Sequence, residues 1–438
     1  MLISSRAFTV SRRTGRLQRQ IISLQGVELK SANSQASRAQ QASKFRLDNL
    51  TESRTQKYFR PLLPRDKAEA HRAATQLELL FDLVFVIAIS AAAHGLGHAI
   101  ADGHWQEGVI KFLLVFWCVW WPWNLFTWFA SSFDNDDVGY RITVMVLMLG
   151  ALFIAASAPG FFEDRDLRYM FCGYLIMRLA FASLWLRVAW AKREYRNTAL
   201  IYAGGQVIMQ VYWAWLVFLV PHDYDHFTLL FAVGITLEML IPFLGEKVGS
   251  TQWHRQHIVE RFGLLNIIVL GEVLLGSSEA LTEAIHSGFW GDYLLVFCCG
   301  AVLAFCMWWL YFSVDGHLAS EKLTRVFVWA YGHFLIFAGG AAVGAGLVVA
   351  VAQLGGGQGV TRLATITLSA AVSVYVLGLW LVRDQFAVKD SRCWIMLVAV
   401  PFLIACGWLP NGIVWLTLVL ALCLMLRLRA HPEQGSSA

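Results

Sequence analysis

The chain has 438 residues, of which 57% are hydrophobic and 15% charged, with 29 Phe, 19 Trp and 12 Tyr. Soluble domains carry about 25% charged residues, so this composition excludes an ordinary cytosolic enzyme and points to a polytopic membrane protein. Charge is uneven: residues 1–75 hold 15 Lys/Arg against 5 Asp/Glu, and the rest of the chain is net acidic.

Residues 1–75 read as a basic cytoplasmic extension, too poor in hydrophobes to bury a core of its own. The stretch is rich in Arg and Ser and has no acid before Glu28, as in targeting or anionic-lipid-binding segments. It lacks the apolar run of a secretory signal.

Twelve apolar spans follow, each near the ~20 residues that a helix needs to cross hydrocarbon. Six lie near 79–98, 109–131, 142–161, 168–190, 199–220 and 227–245, within a first membrane half, 76–255. Six more lie near 262–280, 292–312, 327–351, 361–382, 393–409 and 411–428, within a second half, 256–430, before a short tail, 431–438. The last two meet at Pro410-Asn411 and form either a tight hairpin or one broken element. The fold class is an all-α integral membrane protein.

With the N-terminus inside, 30 of the 35 Lys/Arg fall on the inner side. Only Lys111, Arg165, Arg168 and Arg362 fall outside, and Arg178 lies within a span. This asymmetry predicts cytoplasmic N- and C-termini. The outer loops keep acids such as Asp102, Glu107, Glu163, Asp223 and Asp225. They are either what the bias leaves behind or a cation-concentrating vestibule, with His94 and His98 one turn apart at its mouth.

The chain also matches itself. Shifting it by 181 residues lays Leu113–Phe116 on Leu294–Phe297, Cys118 on Cys299, Trp128 on Trp309, Ser132 on Ser313 and Asp134 on Asp315. Roughly two such matches would arise by chance in a stretch of this composition and length, and a shift of 182 lays Glu78 on Glu260. Six spans separate the copies, so the expectation is two parallel six-helix repeats, with Asp134 and Asp315 as matched inner-end acids.

Charges inside spans are costly and read as functional by default. Glu78 and Asp82 share one face of the first span, where two like charges need a raised pKa, a bound cation or an Arg between them. Arg178 sits mid-span and needs a buried carboxylate, for which Glu238 and Glu272 are the deep candidates. Glu260 and Arg261 open the seventh span, and His333 lies in the ninth. Together Glu78, Asp82, Arg178, Glu238, Glu260, Arg261 and Glu272 form either a polar path for a proton or cation or a network that holds helices together. Trp117, Trp121 and Trp128 make a stripe that serves packing or cation–π contact.

The eight Cys all fall in apolar runs without a CxxC pair, which suits small buried hydrophobes. His254-x-x-His257 has no partner ligands nearby. HExxH, GxSxG and phosphate-loop motifs are absent, so the chain is expected to be no enzyme and to hold no metal or cofactor. Its expected partners are the lipid bilayer and a small solute or ion, with no nucleic acid.

The run Thr75-Gln76-Leu77-Glu78-Leu79-Leu80-Phe81-Asp82-Leu83-Val84-Phe85-Val86 resembles the signature of the bacterial low temperature requirement protein A (LtrA) family. Glu260-Arg261-Phe262-Gly263-Leu264-Leu265-Asn266-Ile267-Ile268-Val269-Leu270-Gly271-Glu272 resembles that family's second hallmark. The segments Trp128–Asp137 and Trp309–Phe312 also fit, so the likeness covers about residues 65–430. It implies a multi-pass protein of the bacterial inner (plasma) membrane, linked by name to growth in the cold, and carries no biochemical activity with it. Leu80–Ser90 is also similar to the Phe-Ser-Asp first-helix signature of two-repeat potassium channels, although Asp82 here follows Phe81 directly without the Ser. The expected function is a proton-coupled solute or ion transporter, with a two-repeat cation channel or a non-transporting scaffold or sensor in cold adaptation as alternatives.

Overall fold

Each apolar run becomes one helix in the computed structural model, which describes residues 59–65, 72–221, 226–313, 318, 322–357, 359–387 and 391–429. In chain order the helices are α1 Gln76–Ala101, α2 Trp105–Phe133, α3 Val138–Asp164, α4 Arg168–Ala191, α5 Arg196–Leu219 and α6 Phe227–Val248. They continue with α7 Arg255–Ser287, α8 Gly291–Phe312, α9 Leu323–Gly355, α10 Arg362–Leu379, α11 Ile395–Cys406 and α12 Gly412–Arg429. No strand occurs among the described residues. Ten of the twelve are long and apolar enough to cross a membrane; α7 and α11 are outside that group. Helix α7 is interrupted by Glu260, Arg261, Glu272, Glu279 and Glu283, and α11 has only 12 residues. Asp315 and most of residues 1–75 lie outside the described residues.

Residues Pro61–Asp136 and Tyr140–Ala438 form one compact unit. The other unit's described residues are Phe59, Arg60 and Asp137–Gly139, where the Arg60 amide donates to Asp137 Oδ2 at 2.7 Å.

Local chemistry sets the helix ends. Thr75 opens α1 with a capping box: its Oγ1 accepts from the Glu78 amide at 3.3 Å, and its own amide donates to Glu78 Oε2 at 2.8 Å. Helix α7 stops at Gly288, whose φ of 71° suits a residue without Cβ and whose amide donates to Ala284 O. The Arg72 guanidinium caps the end of α2, donating to Ala130 O at 2.6 Å and to Ser131 O, where it meets the negative end of the helix dipole. The α11–α12 junction is a hairpin, with Asn411 at φ 52°.

Packing is close where side chains are small. A Cβ added at Gly150 would lie 2.6 Å from Gly173 O and 2.4 Å from Met177 Cγ, so α3 and α4 touch backbone to backbone there. Glycines 339, 344 and 346 likewise bring α9 against neighbouring backbone, and Gly340 makes room for the Val269 side chain; α9 packs against α1, α7, α8 and α10 near the centre of the bundle.

Arg383 and Arg427, counted from sequence among the inner-side basic residues, are buried, and so is Asp384. Arg383 and Asp384 sit in a π-helical turn, Trp380–Asp384, that continues α10. There Arg383 donates to Leu310 O at 2.8 Å and Tyr311 O at 2.5 Å, closing the end of α8. Arg427 of α12 binds Asp384 through two N–H groups, one of them at 2.7 Å from Oδ1. The inserted turn aims neighbouring side chains at two different helices, which hydropathy and charge counting do not detect.

Candidate functional site

The buried charges segregate into two groups. The first joins α1, α2 and α7 at the basal face of the bundle, where α1 begins. The Arg261 guanidinium lies between the two carboxylates that share a face of α1. Its Nε and Nη2 donate to Asp82 at 3.0 and 2.5 Å, and its Nη1 lies 3.0 Å from Glu78 Oε1. Trp123 Nε1 donates to Asp82 Oδ1 at 2.8 Å, and His257 Nε2 lies 3.0 Å from Glu78 Oε1. Next to it, Asp134 pairs with Arg65 at 3.1 Å and Arg72 at 3.6 Å. Burial, with Glu78 adding to it, lifts the Asp134 carboxyl above its ordinary pKa, against the pull of Arg72 and Arg65. Three carboxylates thus meet three guanidiniums, and the group is balanced with His257 neutral. This is the arrangement of a lock between helices.

Two predicted path residues lie apart from that lock. Glu260 is exposed and accepts from the Ala74 amide at 3.3 Å. Glu272 is buried about three turns further along α7, next to Ser90 of α1. His333 donates to or accepts from Tyr311 OH at 3.2 Å inside an aromatic cluster. His94 and His98 line an open pocket that also takes in Asp102, His104, Glu107 and Lys111. There Glu107 is held by Lys111 at 2.8 Å and Arg165 at 3.0 Å. Among the described residues, no three His, Cys, Asp or Glu side chains are placed to hold a metal ion.

The second group lies inside α2, α4, α5 and α6. Arg178 finds Glu238, with Nη2 at 2.5 Å from Oε2, and both side chains are at most 1% exposed. Two indoles complete the carboxylate: Trp121 Nε1 donates to Oε2 at 2.8 Å and Trp213 Nε1 to Oε1 at 2.9 Å. Arg178 Cζ also lies 5.5 Å from the Tyr174 ring centroid. Glu238 is satisfied, but Arg178 is not: its Nε and Nη1 have no acceptor among the described residues.

Pockets flank this pair on both sides, and all four helices give the same order. On one side a pocket is lined by Trp117, Cys118, Met170, Tyr174, Trp213 and Phe231. On the other, toward the basal face, a second pocket is lined by Asn124, Trp128, Trp185, Tyr202, Pro242 and Glu246, among others. Phe231, Glu238 and Glu246 follow one another along α6 at seven- and eight-residue steps, which is about 10–12 Å each. Pro122 and Pro242 withhold intrahelical donors from the Cys118 and Glu238 carbonyls at this level.

Sequence reasoning missed part of this column. Tyr202, Gln206, Gln210 and Trp213 recur at i, i+4, i+8 and i+11, one buried stripe of α5. Gln206 and Gln210 are 1% and 5% exposed, and neither amide has a partner among the described residues. Leaving such groups unpaired costs about 1–3 kcal/mol each, so they mark a place where water or a ligand sits. The polar stripe was visible in the sequence; a search confined to charged residues passed over it.

Comparison with known proteins gives a family and no activity. Residues 73–428 match the bacterial low temperature requirement A protein (LtrA) family, and the chain belongs to that family. It is similar to an uncharacterized protein of Rhizobium meliloti (strain 1021), 26% identical over 293 residues, which are 60% of this chain and 66% of that protein. No solved structure matches the chain.

Proposed function

We propose that this LtrA-family membrane protein is a transporter, carrying a small solute or ion in exchange with or alongside protons through the α2–α4–α5–α6 bundle. The observation that supports this reading is the buried Arg178–Glu238 pair with a pocket on each side and unpartnered polar groups beside it. In the Glu78–Asp82–Arg261 lock, atoms without a hydrogen bond such as Glu78 Oε1, Arg261 Nη1 and His257 Nε2 still meet one another at 3.0 Å as ion-pair contacts. In the second group, Arg178, Gln206 and Gln210 keep hydrogen-bonding capacity free inside the protein. Glu238 is the carboxylate that lies between the two pockets. No catalytic step belongs to this reading.

The proposal extends to orientation and ancestry. The bias of the basic residues supports a cytoplasmic basal face, N-terminus and C-terminus, in a protein of the inner membrane. The matched stretches of α2 and α8 support a parallel duplication, although Trp309 is 50% exposed where its counterpart Trp128 is half-buried in a pocket. Single-Cys labelling in intact cells checks the orientation: probes at positions 103 and 286 should react from outside and one at 193 should not. Reaction at 193 from outside would invert the arrangement.

Transport is tested in proteoliposomes carrying a pH gradient, with a panel of inorganic cations, amines, anions and neutral metabolites. Gln210→Leu is the informative variant. Removing an unpartnered buried amide should leave the melting temperature equal or higher, by an amount equivalent to about 1 kcal/mol, while flux falls. A loss of stability with flux retained would make Gln210 a structural residue. Passive, gradient-independent current in the wild type would favour a channel, and no flux for any solute a scaffold.

A further inference from the structure

The basal pocket combines an aromatic enclosure with one carboxylate. Its cavity volume is about 70 Å³, and its walls include Trp128, Trp185, Tyr202, Trp253, Phe327 and Tyr331. The rings come from α2, α4, α5, α9 and the α6–α7 turn, so the enclosure is a property of the assembled bundle. Their mutual geometry is fixed: Trp128 and Trp253 meet edge to face at 5.1 Å, Trp185 stacks on Tyr202 at 4.1 Å, and Phe327 lies 5.2 Å from Tyr331. Tyr331 is held by its hydroxyl, which donates to Met239 O at 3.1 Å.

Glu246 supplies the charge. Its Oε1 accepts from Thr251 Oγ1 at 2.8 Å and from Tyr202 OH at 3.2 Å, and its Oε2 accepts from the Thr251 amide at 2.9 Å. All three partners are neutral donors, which hydrogen-bond the carboxyl group without supplying a counter-charge. No ion pair to Glu246 exists among the described residues. The adjacent cation, Lys247, lies instead over the Phe243 ring at 4.3 Å. The pocket therefore holds an acidic group with no positive partner among the described residues, inside walls whose ring faces carry partial negative charge.

We propose that this pocket binds an organic ammonium ion, with its cationic head against Glu246 and the rings of Trp128, Trp253 and Tyr202. Ring faces attract a poorly hydrated cation within about 6 Å of their centroids, and a large alkylated ammonium fits such walls better than a small, strongly hydrated metal cation. An anion would meet Glu246, and a neutral solute would leave the charge uncompensated. The assignment names the substrate class for the path above and rests on that reading for transport, although not for binding.

Isothermal titration of the full chain in detergent micelles tests it, with choline as probe and 3,3-dimethyl-1-butanol as its uncharged isostere. Saturable choline binding is expected, with the butanol at least about tenfold weaker. Glu246→Gln should weaken choline by about tenfold or more, Trp253→Ala should weaken it several-fold, and Trp253→Phe should keep most of the affinity. Glu283→Gln, on an exposed turn near the end of α7, is the control and should bind as the wild type does. Equal binding of the two probes, choline affinity unchanged in a well-folded Glu246→Gln, or no choline binding by the folded wild type would overturn the assignment. Choline binding that requires Glu246 but gives no choline flux in proteoliposomes upholds the site and removes the transport reading alone.

Discussion

Arg178→Leu should lower the thermal stability of the purified protein by the equivalent of about 3–5 kcal/mol, because it strands Glu238 at 0% exposure. The two indoles of Trp121 and Trp213 would still donate to that carboxylate, but neither supplies charge. Arg165→Leu is the matched control. Arg165 is 52% exposed and pairs with Glu107 at 3.0 Å in water, where such pairs contribute about 0–1 kcal/mol. The double variant Arg178→Leu/Glu238→Leu should recover most of the lost stability, since replacing a whole buried pair by apolar groups is often neutral. It should not recover flux. Differential scanning fluorimetry on the four proteins reads the first result, and equal melting of Arg178→Leu and Arg165→Leu would show that Arg178 is not buried against an acid.

Arg261→Leu should cost at least as much. One guanidinium serves both Asp82, in a two-point contact, and Glu78, so its loss leaves two buried carboxylates one helical turn apart. Trp123 and His257 remain as donors, and His257 would be forced to take up a proton to offset the charge. Arg261→Lys should rescue only part of the loss, because a point charge cannot reach both acids with the same geometry. Size-exclusion profiles with melting curves decide the matter. A monodisperse Arg261→Leu protein with wild-type stability would mean that water reaches this lock.

These two pairs show what a sequence discloses about such a fold. Glu78 and Asp82, one turn apart, announced the need for a counter-charge, and Arg178 announced a buried acid; the partners were among the few charges available. Helices were legible because about 20 apolar residues have few other uses. The basal pocket was not legible. Glu246 lies just past the apolar run at 227–245 and drew no notice there; the fold keeps it in α6 and brings Tyr202 and Thr251 to its oxygens. Nor was the basal lock's balance visible, since Arg65 and Arg72 precede the first span in a segment read as free tail. Arg383 and Arg427 were counted as interfacial charges, and a local π-turn hides them.

Helix α2 stands between the two charge groups in an unusual way. Trp121 donates to Glu238 and Trp123 to Asp82, and two residues on a helix point about 200° apart. Pro122 lies between them. A rotation of the whole helix about its axis would pull both indoles off their acids at once, so the pair acts as a torsional clamp. A bend at Pro122 that moves only the part before it would break the Trp121 contact alone, since the part after it stays pinned by Trp123. Twisting this helix therefore costs two buried hydrogen bonds, whereas bending it at Pro122 costs one.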